Sequence, residues 1–153
     1  MLIEHLFVGE MMRRLWLRGI AQFEVLKPEV NDGGYDLVVE ANGIARHIQL
    51  KSSFKGARTG QVKVSLNLAH KPSACVIWIL FDSGSMELGP FLWFGGRPGE
   101  AMPAIDDFKK AKHTRANADG VKKERPNQRS IPRAQFERIE EFDKLVSRMF
   151  GEL

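Results

Sequence analysis

The sequence has a single cysteine, Cys75, and no hydrophobic run longer than the eight residues 74–81. One cysteine excludes an internal disulfide framework and a zinc site built from several cysteines, and it is typical of a reducing cytoplasm. The hydrophobic run is too short to span a bilayer as a helix. The first residues carry Glu4, His5 and Glu10 without a basic start or a small-residue cleavage site, so no secretory signal is predicted. We therefore expect a cytoplasmic protein without a membrane partner.

What the chain does contain is an ordinary globular composition and one block of positive charge. Its 153 residues are 43% hydrophobic and 27% charged, which predicts a single folded domain over residues 1–153. Between residues 109 and 133, nine basic side chains stand against two acidic ones, so this segment carries +7 and the rest of the chain sums to −3. The segment predicts a surface for a polyanion, with a solvated basic linker as the alternative. Its basic residues are Lys109, Lys110, Lys112, Arg115, Lys122, Lys123, Arg125, Arg129 and Arg133.

The order of secondary-structure signals predicts an α/β fold with a mixed sheet. Alternating or continuous apolar runs predict the strands, and good helix formers or apolar residues at three- and four-residue steps predict the helices. No internal repeat or low-complexity tract is present. The predicted elements are a helix at 3–18, a strand at 23–26, a turn at 31–34, strands at 36–41 and 44–51, a loop at 54–61, strands at 62–68, 74–81 and 88–94, and helices at 103–112 and 133–150.

The two strands around Asn42-Gly43 form the clearest local signal, because Asn-Gly between two alternating runs is typical of a tight β-hairpin. If these two residues form the loop, directly opposed residues have numbers that sum to 85, and Asp36 lies across from Gln49. Lys51 is two residues beyond Gln49 and shares its face. The opposite face is apolar apart from Arg46. The sequence therefore predicts that Asp36, Gln49 and Lys51 meet at one end of the hairpin.

This trio is suited to metal-assisted hydrolysis of a phosphodiester. Hard cations such as Mg²⁺ or Mn²⁺ take oxygen ligands and keep several waters, and Asp36 and Gln49 offer a carboxylate and an amide oxygen. Lys51 could orient or deprotonate an attacking water, or neutralise charge on a phosphate. The alternative is that these residues only form the wet face of an amphipathic hairpin, since alternation itself requires polar residues there.

The residues Gly34-Tyr35-Asp36, followed after 12 intervening residues by Gln49-Leu50-Lys51, resemble the PD-(D/E)xK nuclease superfamily. The resemblance covers about residues 3–82 and implies a restriction-endonuclease-like core, with a central mixed β-sheet flanked by helices. Glutamine replaces the second acidic ligand, as in the Q-x-K nuclease domains of methylation-dependent restriction enzymes, and Tyr35 stands where proline is usual.

The resemblance also implies a glutamate on the first helix that contacts the metal directly or through water. We expect Glu10 in this role, because at 100° per residue it lies near Ile3, Leu6 and Leu17 in an apolar arc. An inward carboxylate is costly unless it is paired or bound to a metal. An ion pair with Arg13 or Arg14, three and four residues on, is the alternative.

Together these features predict a Mg²⁺- or Mn²⁺-dependent nuclease, with Asp36, Gln49 and Glu10 as metal ligands and Lys51 as the residue that positions the water. DNA is expected rather than RNA on family grounds, and a homodimer is compatible with the sequence. A nucleic-acid-binding module without metal, or a protein-interaction domain on the same fold, remains the alternative. The nucleic-acid contacts are expected at Ser52, Ser53, Lys55, Arg58, Lys109, Lys110, Lys112, Arg115, Lys122, Lys123, Arg125 and Arg129.

Overall fold

The computed structural model describes residues 1–30, 33–113 and 116–152. Asn31 and Asp32 of the predicted turn, and Arg115 of the basic segment, lie outside these ranges. The helices are α1 (Leu2–Leu17), α2 (Leu66–Ala69) and α3 (Phe142–Phe150). The strands are β1 (Phe23–Leu26), β2 (Leu37–Ala41), β3 (Ile44–Phe54), β4 (Gln61–Ser65), β5 (Cys75–Phe81), β6 (Leu88–Gly95), β7 (Lys109–Lys112), β8 (Glu124–Pro132) and β9 (Glu137–Ile139).

Six strands form the central sheet in the order β1-β2-β3-β5-β6-β9. The β3–β5 pair is parallel and its neighbours are antiparallel, so the sheet is mixed. A second sheet has the antiparallel order β4-β8-β7. The prediction of an α/β fold with a central mixed sheet flanked by helices is confirmed.

The central sheet separates two hydrophobic cores. Helices α1 and α3 cover one face, where Phe7, Met11, Leu15, Leu145 and Met149 pack against the sheet. The second sheet and the short α2 cover the other face, and Trp78 is the largest fully buried side chain there. The layers are therefore two helices, six strands and a smaller sheet, which the short α2 accompanies on the second face.

Helix α1 presents a different face to the core from the one predicted. Phe7, Met11 and Leu15 are fully buried, whereas Leu6 and Leu17 are exposed. The helix has apolar residues on nearly every side, so periodicity alone did not identify the buried stripe. Among the described residues, no helix is long and apolar enough to cross a lipid bilayer.

Three of the predicted elements differ in the structure. The strand at 62–68 gives way to α2 at Leu66, after Ser65 caps the turn by accepting a hydrogen bond from the Asn67 N–H. The predicted helix at 103–112 is wrong, because Lys109–Lys112 forms β7 and pairs with β8. The prediction of one helix over 133–150 is also wrong, since Arg133–Gln135 is a 3₁₀ turn, Glu137–Ile139 is an edge strand and the helix begins only at Phe142.

Candidate active site

The hairpin has the predicted turn and register. Asn42 and Gly43 both have positive φ, at 52° and 75°, as a two-residue turn of this type requires. Ala41 pairs with Ile44 and Leu37 pairs with Ile48, so opposed residues sum to 85 as expected. The Asp36 N–H extends the ladder by donating to the Ile48 carbonyl at 2.8 Å. The turn therefore fixes which side chains meet at the other end of the hairpin.

Asp36 and Gln49 are in direct contact at that end. The Gln49 Nε2 donates to Asp36 Oδ2 at 2.8 Å, and the Leu50 N–H donates to the same oxygen at 2.7 Å. Gln49 Nε2 also donates to the Leu50 carbonyl at 3.2 Å. One carboxylate oxygen is thus held by two donors, while Oδ1 accepts no hydrogen bond from the described residues.

Lys51 lies on the same face of β3 as Gln49. Lys51 pairs with Trp78 and Gln49 pairs with Val76, and both partners belong to the core between the two sheets. Burial lowers the pKa of the Lys51 ammonium, the negative charge of Asp36 raises it, and the charge of Lys63 lowers it further. Within the described ranges no carboxylate lies at ion-pairing distance from Lys51. Its charge is therefore half-buried without a direct counter-ion.

The pKa of the Asp36 carboxyl group is shifted in the direction opposite to that of Lys51. Burial raises its pKa, the Leu50 N–H lowers it, the charge of Glu4 raises it, and the charges of Lys51 and Lys27 lower it. The net shift is upward. Two half-buried groups of opposite charge are thus each displaced toward their neutral forms, a pattern that is frequent in catalytic sites.

Helix α1 brings Glu4, not Glu10, into the electrostatic environment of Asp36. Glu4 lies at the start of the stripe that continues with Phe7, Met11 and Leu15, and it forms an ion pair with Lys27 at 3.0 Å. The sequence signal for this placement is the spacing 4-7-11-15, which repeats the period of one helix face. Neither Glu4 nor Lys27 was among the predicted site residues.

Glu10 instead forms the ion pairs that were the alternative for it. Its carboxylate binds Arg14 at 2.7 Å and Arg13 at 3.7 Å, and Arg14 also binds Asp143 of α3 at 2.7 Å. These contacts join α1 to α3. The structure does not bring Glu10 into contact with Asp36 or Gln49.

Tyr35 and His47 flank the trio on the same face of the hairpin. Their rings meet edge to face with centroids 4.9 Å apart, and His47 Nδ1 lies 2.8 Å from the Pro72 carbonyl. Because a carbonyl only accepts, Nδ1 carries the proton in this contact. The packing of Tyr35 against His47 therefore holds in place the residue that directly precedes Asp36.

The two serines after Lys51 point to opposite faces of the sheet. Ser53 shares the face of Lys51, and its hydroxyl accepts a hydrogen bond from Trp78 Nε1 at 3.0 Å. Ser52 is exposed on the other face. Lys55 and Arg58 are exposed in the loop that follows β3.

Most of the basic segment forms the second sheet and its connection. Lys109, Lys110, Lys112, Lys122 and Lys123 are exposed. Arg125 and Arg129 are partly buried; Arg125 donates to His113 at 3.2 Å and Arg129 to the Pro126 carbonyl at 2.6 Å. The part of the segment that the structure describes is thus a folded surface, not a linker.

Lys63 connects this surface to the trio. It lies on β4, donates to the Lys112 carbonyl at 2.6 Å, and is near enough to Lys51 to lower its pKa. The site and the basic sheet are therefore neighbours on one side of the molecule. In the sequence, Lys63 is one residue in a run of alternating polar and apolar side chains. Its position beside the basic sheet becomes visible only from the pairing of β4 with β8.

The available donor set suits a hard cation that retains most of its water. Asp36 Oδ1 and Gln49 Oε1 are the oxygens at the centre of the site, and the described residues contain no cluster of three or more His, Cys, Asp or Glu. Mg²⁺ is commonly held by one or two carboxylates and several waters. In the structure the amide NH₂ of Gln49 faces Asp36, so a shared cation would need the amide to turn about its last torsion.

Comparisons with known proteins leave the family open. No protein-family model matches the sequence, and no curated protein matches it. Among solved structures, the chain is similar to a bacterial homing endonuclease with 22% identity and a TM-score of 0.29, over 69% of this chain and 74% of the endonuclease. Identity and TM-score at this level do not establish a shared function, so the proposal below depends on the geometry of the site.

Proposed function

We propose that this protein is a metal-dependent nuclease of the restriction-endonuclease-like type that hydrolyses phosphodiester bonds of DNA with Mg²⁺ or Mn²⁺. The observation that carries the proposal is the convergence of Asp36, Gln49 and Lys51 on one face of the β2–β3 hairpin. Three different polar groups meet where both charges are half-buried, and the basic sheet lies beside them.

In this proposal, Asp36 Oδ1 and Gln49 Oε1 would hold the cation. A bound divalent cation polarises a phosphoryl oxygen and lowers the pKa of a water ligand. The second oxygen of Asp36, Oδ2, would keep the hydrogen bond from the Leu50 N–H and lose the one from the Gln49 side-chain amide once that amide turns toward the cation. The Leu50 N–H therefore anchors the carboxylate whichever way the amide points.

Lys51 would act on the phosphate and the water directly. Its ammonium is near enough to Asp36 for the carboxylate charge to raise its pKa, and it lacks a direct counter-ion among the described residues, so its protons are available for a phosphate oxygen. A donor of this kind stabilises negative charge that develops in the transition state. In this proposal Glu4, whose charge raises the pKa of Asp36, would take the place on α1 that was predicted for Glu10.

The basic sheet supplies the expected contacts to the phosphate backbone. Lys109, Lys110 and Lys112 are exposed on β7, and Lys63 links this strand to Lys51. Such contacts fix the position of a duplex without reading its sequence, and they make affinity fall with salt. The double substitution Lys109→Ala and Lys110→Ala should reduce the slope of log affinity against log salt by about 2 if both contact phosphates.

Cleavage of supercoiled plasmid DNA tests the catalytic assignment. With Mg²⁺ or Mn²⁺ added, the wild-type chain should nick the plasmid, and Lys51→Ala should lose this activity by a factor of about 100 or more. Lys144→Ala is the matched control, because Lys144 is an exposed lysine on α3, on the other face of the central sheet. Full activity in Lys51→Ala would remove Lys51 from the mechanism.

The second candidate is a nucleic-acid-binding module that holds no metal. The observation in its favour is that the Gln49 amide already closes a hydrogen bond onto Asp36, as a purely structural pair would. This candidate predicts salt-sensitive DNA binding that is unaffected by Mg²⁺, by Mn²⁺ or by Asp36→Asn. A protein-interaction domain, in contrast, would show no affinity for DNA even at low salt.

A further inference from the structure

Lys71 lies over the aromatic ring next to Asp36. Its ammonium nitrogen is 5.8 Å from the ring centroid of Tyr35, the residue that directly precedes Asp36. Gly33 makes room for this contact, because a Cβ atom there would come within 2.6 Å of the Tyr35 ring and 3.3 Å of Lys71 Cε. A cation over an aromatic face is attracted by the ring electrons. Since Tyr35 also packs against His47, this cation is held at the His47 end of the face that carries the trio.

Arg133 lies over a second aromatic ring, at the other end of the site. Its guanidinium carbon is 5.6 Å from the ring centroid of Trp78, which is the β5 residue paired with Lys51. The Trp78 ring is itself held by the hydrogen bond from its Nε1 to the Ser53 hydroxyl. The backbone N–H of Arg133 donates to the Gly60 carbonyl at 2.9 Å, just after β8 ends. The second cation is therefore held at the Ser53 end of the same face.

Neither of these cations has an acidic partner in the part of the chain that the structure describes. Lys71 and Arg133 are partly buried, and neither forms an ion pair with a carboxylate of the described residues. On the helical side of the central sheet, in contrast, Arg14, Arg18 and Arg148 are each paired with a carboxylate. Ammonium and guanidinium groups without a counter-ion are the donors that proteins use for phosphate.

Lys71 and Arg133 are far enough apart to bind different phosphates of one DNA strand. The stretch of β3 from His47 to Ser53 separates them, and a strand of this length spans about 20 Å. One strand of a duplex carries a phosphate every ~3.4 Å of rise, so about six nucleotides cover this distance. The trio lies within the stretch, with a cation beyond it on each side.

We propose that Lys71 and Arg133 bind phosphates on the two sides of the scissile phosphate, so that one DNA strand runs along β3 from His47 to Ser53. This inference rests on the proposed function, because it takes the trio as the place where the strand is cut. The two side chains hold the strand by its phosphates and do not read its sequence. They are binding residues, so they act on affinity and KM and not on the chemical step.

Binding of a fluorescently labelled DNA duplex, followed by anisotropy in EDTA at several salt concentrations, tests the inference in the absence of cleavage. Lys71→Met and Arg133→Met should each reduce the slope of log affinity against log salt by about 1, and the double variant should reduce it by about 2. The methionine at position 133 still covers Trp78, so the thermal unfolding temperature should stay close to that of the wild type. Arg133→Gln is a second neutral variant with the same expected slope.

Charge-preserving variants and distant cations provide the controls. Lys71→Arg and Arg133→Lys keep a cation at each position and should keep the wild-type slope. Lys144→Met and Arg97→Met should also keep it, because both residues are exposed cations that line a surface pocket beside α3, away from the trio. With Mg²⁺ added, Lys71→Met and Arg133→Met should raise the KM for DNA cleavage and leave kcat nearly unchanged.

Three outcomes would overturn the inference. They are a wild-type chain that does not bind DNA at low salt, an unchanged slope in either Lys71→Met or Arg133→Met, and an equal loss in the two distant controls. If the slopes fall as expected but the wild type nicks no plasmid, the phosphate contacts stand and only the proposed catalysis fails. If the wild type nicks plasmid and the slopes are unchanged, only this inference fails.

Discussion

Strand β3 carries two cationic side chains on its opposite faces, one buried and one half-buried, and their environments differ. Arg46 is fully buried on the face covered by α1 and α3, and Lys51 is half-buried on the face near the second sheet. Both have a pKa lowered by burial. The two sites differ in how many partners the surrounding chain provides.

Arg46 is surrounded by acceptors. Its guanidinium donates to the carbonyls of Met149 at 2.7 Å and Gly96 at 2.8 Å, and more distantly to those of Ser73 at 3.3 Å and Arg148 at 3.4 Å. It also lies 5.0 Å from the ring centroid of Trp93. Two of the four carbonyls belong to the last turn of α3, where a cation interacts favourably with the helix dipole. This buried charge holds the helix on the sheet.

Lys51 and Asp36 have fewer partners. They influence each other electrostatically, but the Lys51 ammonium forms no ion pair with any carboxylate of the described residues. A buried charge whose donors are satisfied stabilises the fold, whereas one whose donors remain available lowers stability and can bind a ligand. This contrast supports a structural role for Arg46 and a functional role for Lys51.

The largest effect is expected from Arg46→Met. Removal of the guanidinium leaves several buried carbonyls without a donor, so the free energy of unfolding should fall by about 3–5 kcal/mol. Urea unfolding followed by circular dichroism measures the loss. A change below about 1 kcal/mol would show that the guanidinium contacts do not hold α3 on the sheet.

Lys51→Met should change the free energy of unfolding in the opposite direction, so that the variant is more stable than the wild type. Folding lowers the pKa of Lys51, so the native state carries the cost of a buried charge at every pH below that lowered value. The cost disappears as the pH rises to the ordinary pKa of lysine. The variant should therefore be about 1 kcal/mol more stable than wild type at neutral pH, and the gain should shrink in alkaline solution.

Urea unfolding between neutral and alkaline pH measures this difference, with Lys144→Met as the exposed control. Destabilisation by Lys51→Met as large as that of Arg46→Met would erase the distinction between the two cations.

Asp36→Asn should also increase the free energy of unfolding, but by less than Lys51→Met does. Folding raises the pKa of Asp36, so the cost of its charge is present above that raised value and disappears as the pH falls below the ordinary pKa of aspartate. Asparagine keeps an oxygen for the Leu50 N–H, and the gain at neutral pH should be about 0.5 kcal/mol. Thermal unfolding at neutral and acidic pH checks it, and a gain that persists unchanged in acid would exclude this explanation.

The smallest effect concerns Cys75, a buried thiol whose pKa the nearby Arg46 influences. Burial raises the pKa of its thiol to about 12, although Arg46 acts in the opposite direction. The native thiol should therefore resist iodoacetamide at pH 8 and react only after unfolding. Mass spectrometry of the labelled chain measures this, and rapid native labelling would mean that Arg46 activates the thiol.

The site was predictable where local chemistry determined it. Asn42-Gly43 specifies a two-residue turn, and the turn sets the register that brings Asp36 to Gln49. The separation of polar and apolar side chains on the two faces follows from strand alternation. Arg46 was visible as the exception on the apolar face, but its carbonyl partners lie 27 to 103 residues away.

The elements that were predicted incorrectly depend on contacts between residues that are far apart in the sequence. Lys109–Lys112 is a strand because β8 provides the partner, and helix propensity does not register that pairing. Phe136 and Ile139 are spaced as on one helix face, yet they pack in different cores on opposite sides of the sheet. Glu10 was predicted at the site, and Glu4 was not considered, because the apolar surface of α1 extends around the helix and periodicity does not single out the stripe that begins at Glu4.

Binding of Mn²⁺ to the DNA-free chain, followed by the electron paramagnetic resonance signal of the free ion, tests the central claim most directly. We predict that the wild-type chain binds Mn²⁺ and that Asp36→Ala abolishes binding. Glu40→Gln should bind as wild type does, because Glu40 is an exposed carboxylate farther along the same face of the hairpin. Absence of Mn²⁺ binding by the wild type, or equal binding by Asp36→Ala, would contradict the assignment of a metal-dependent active site.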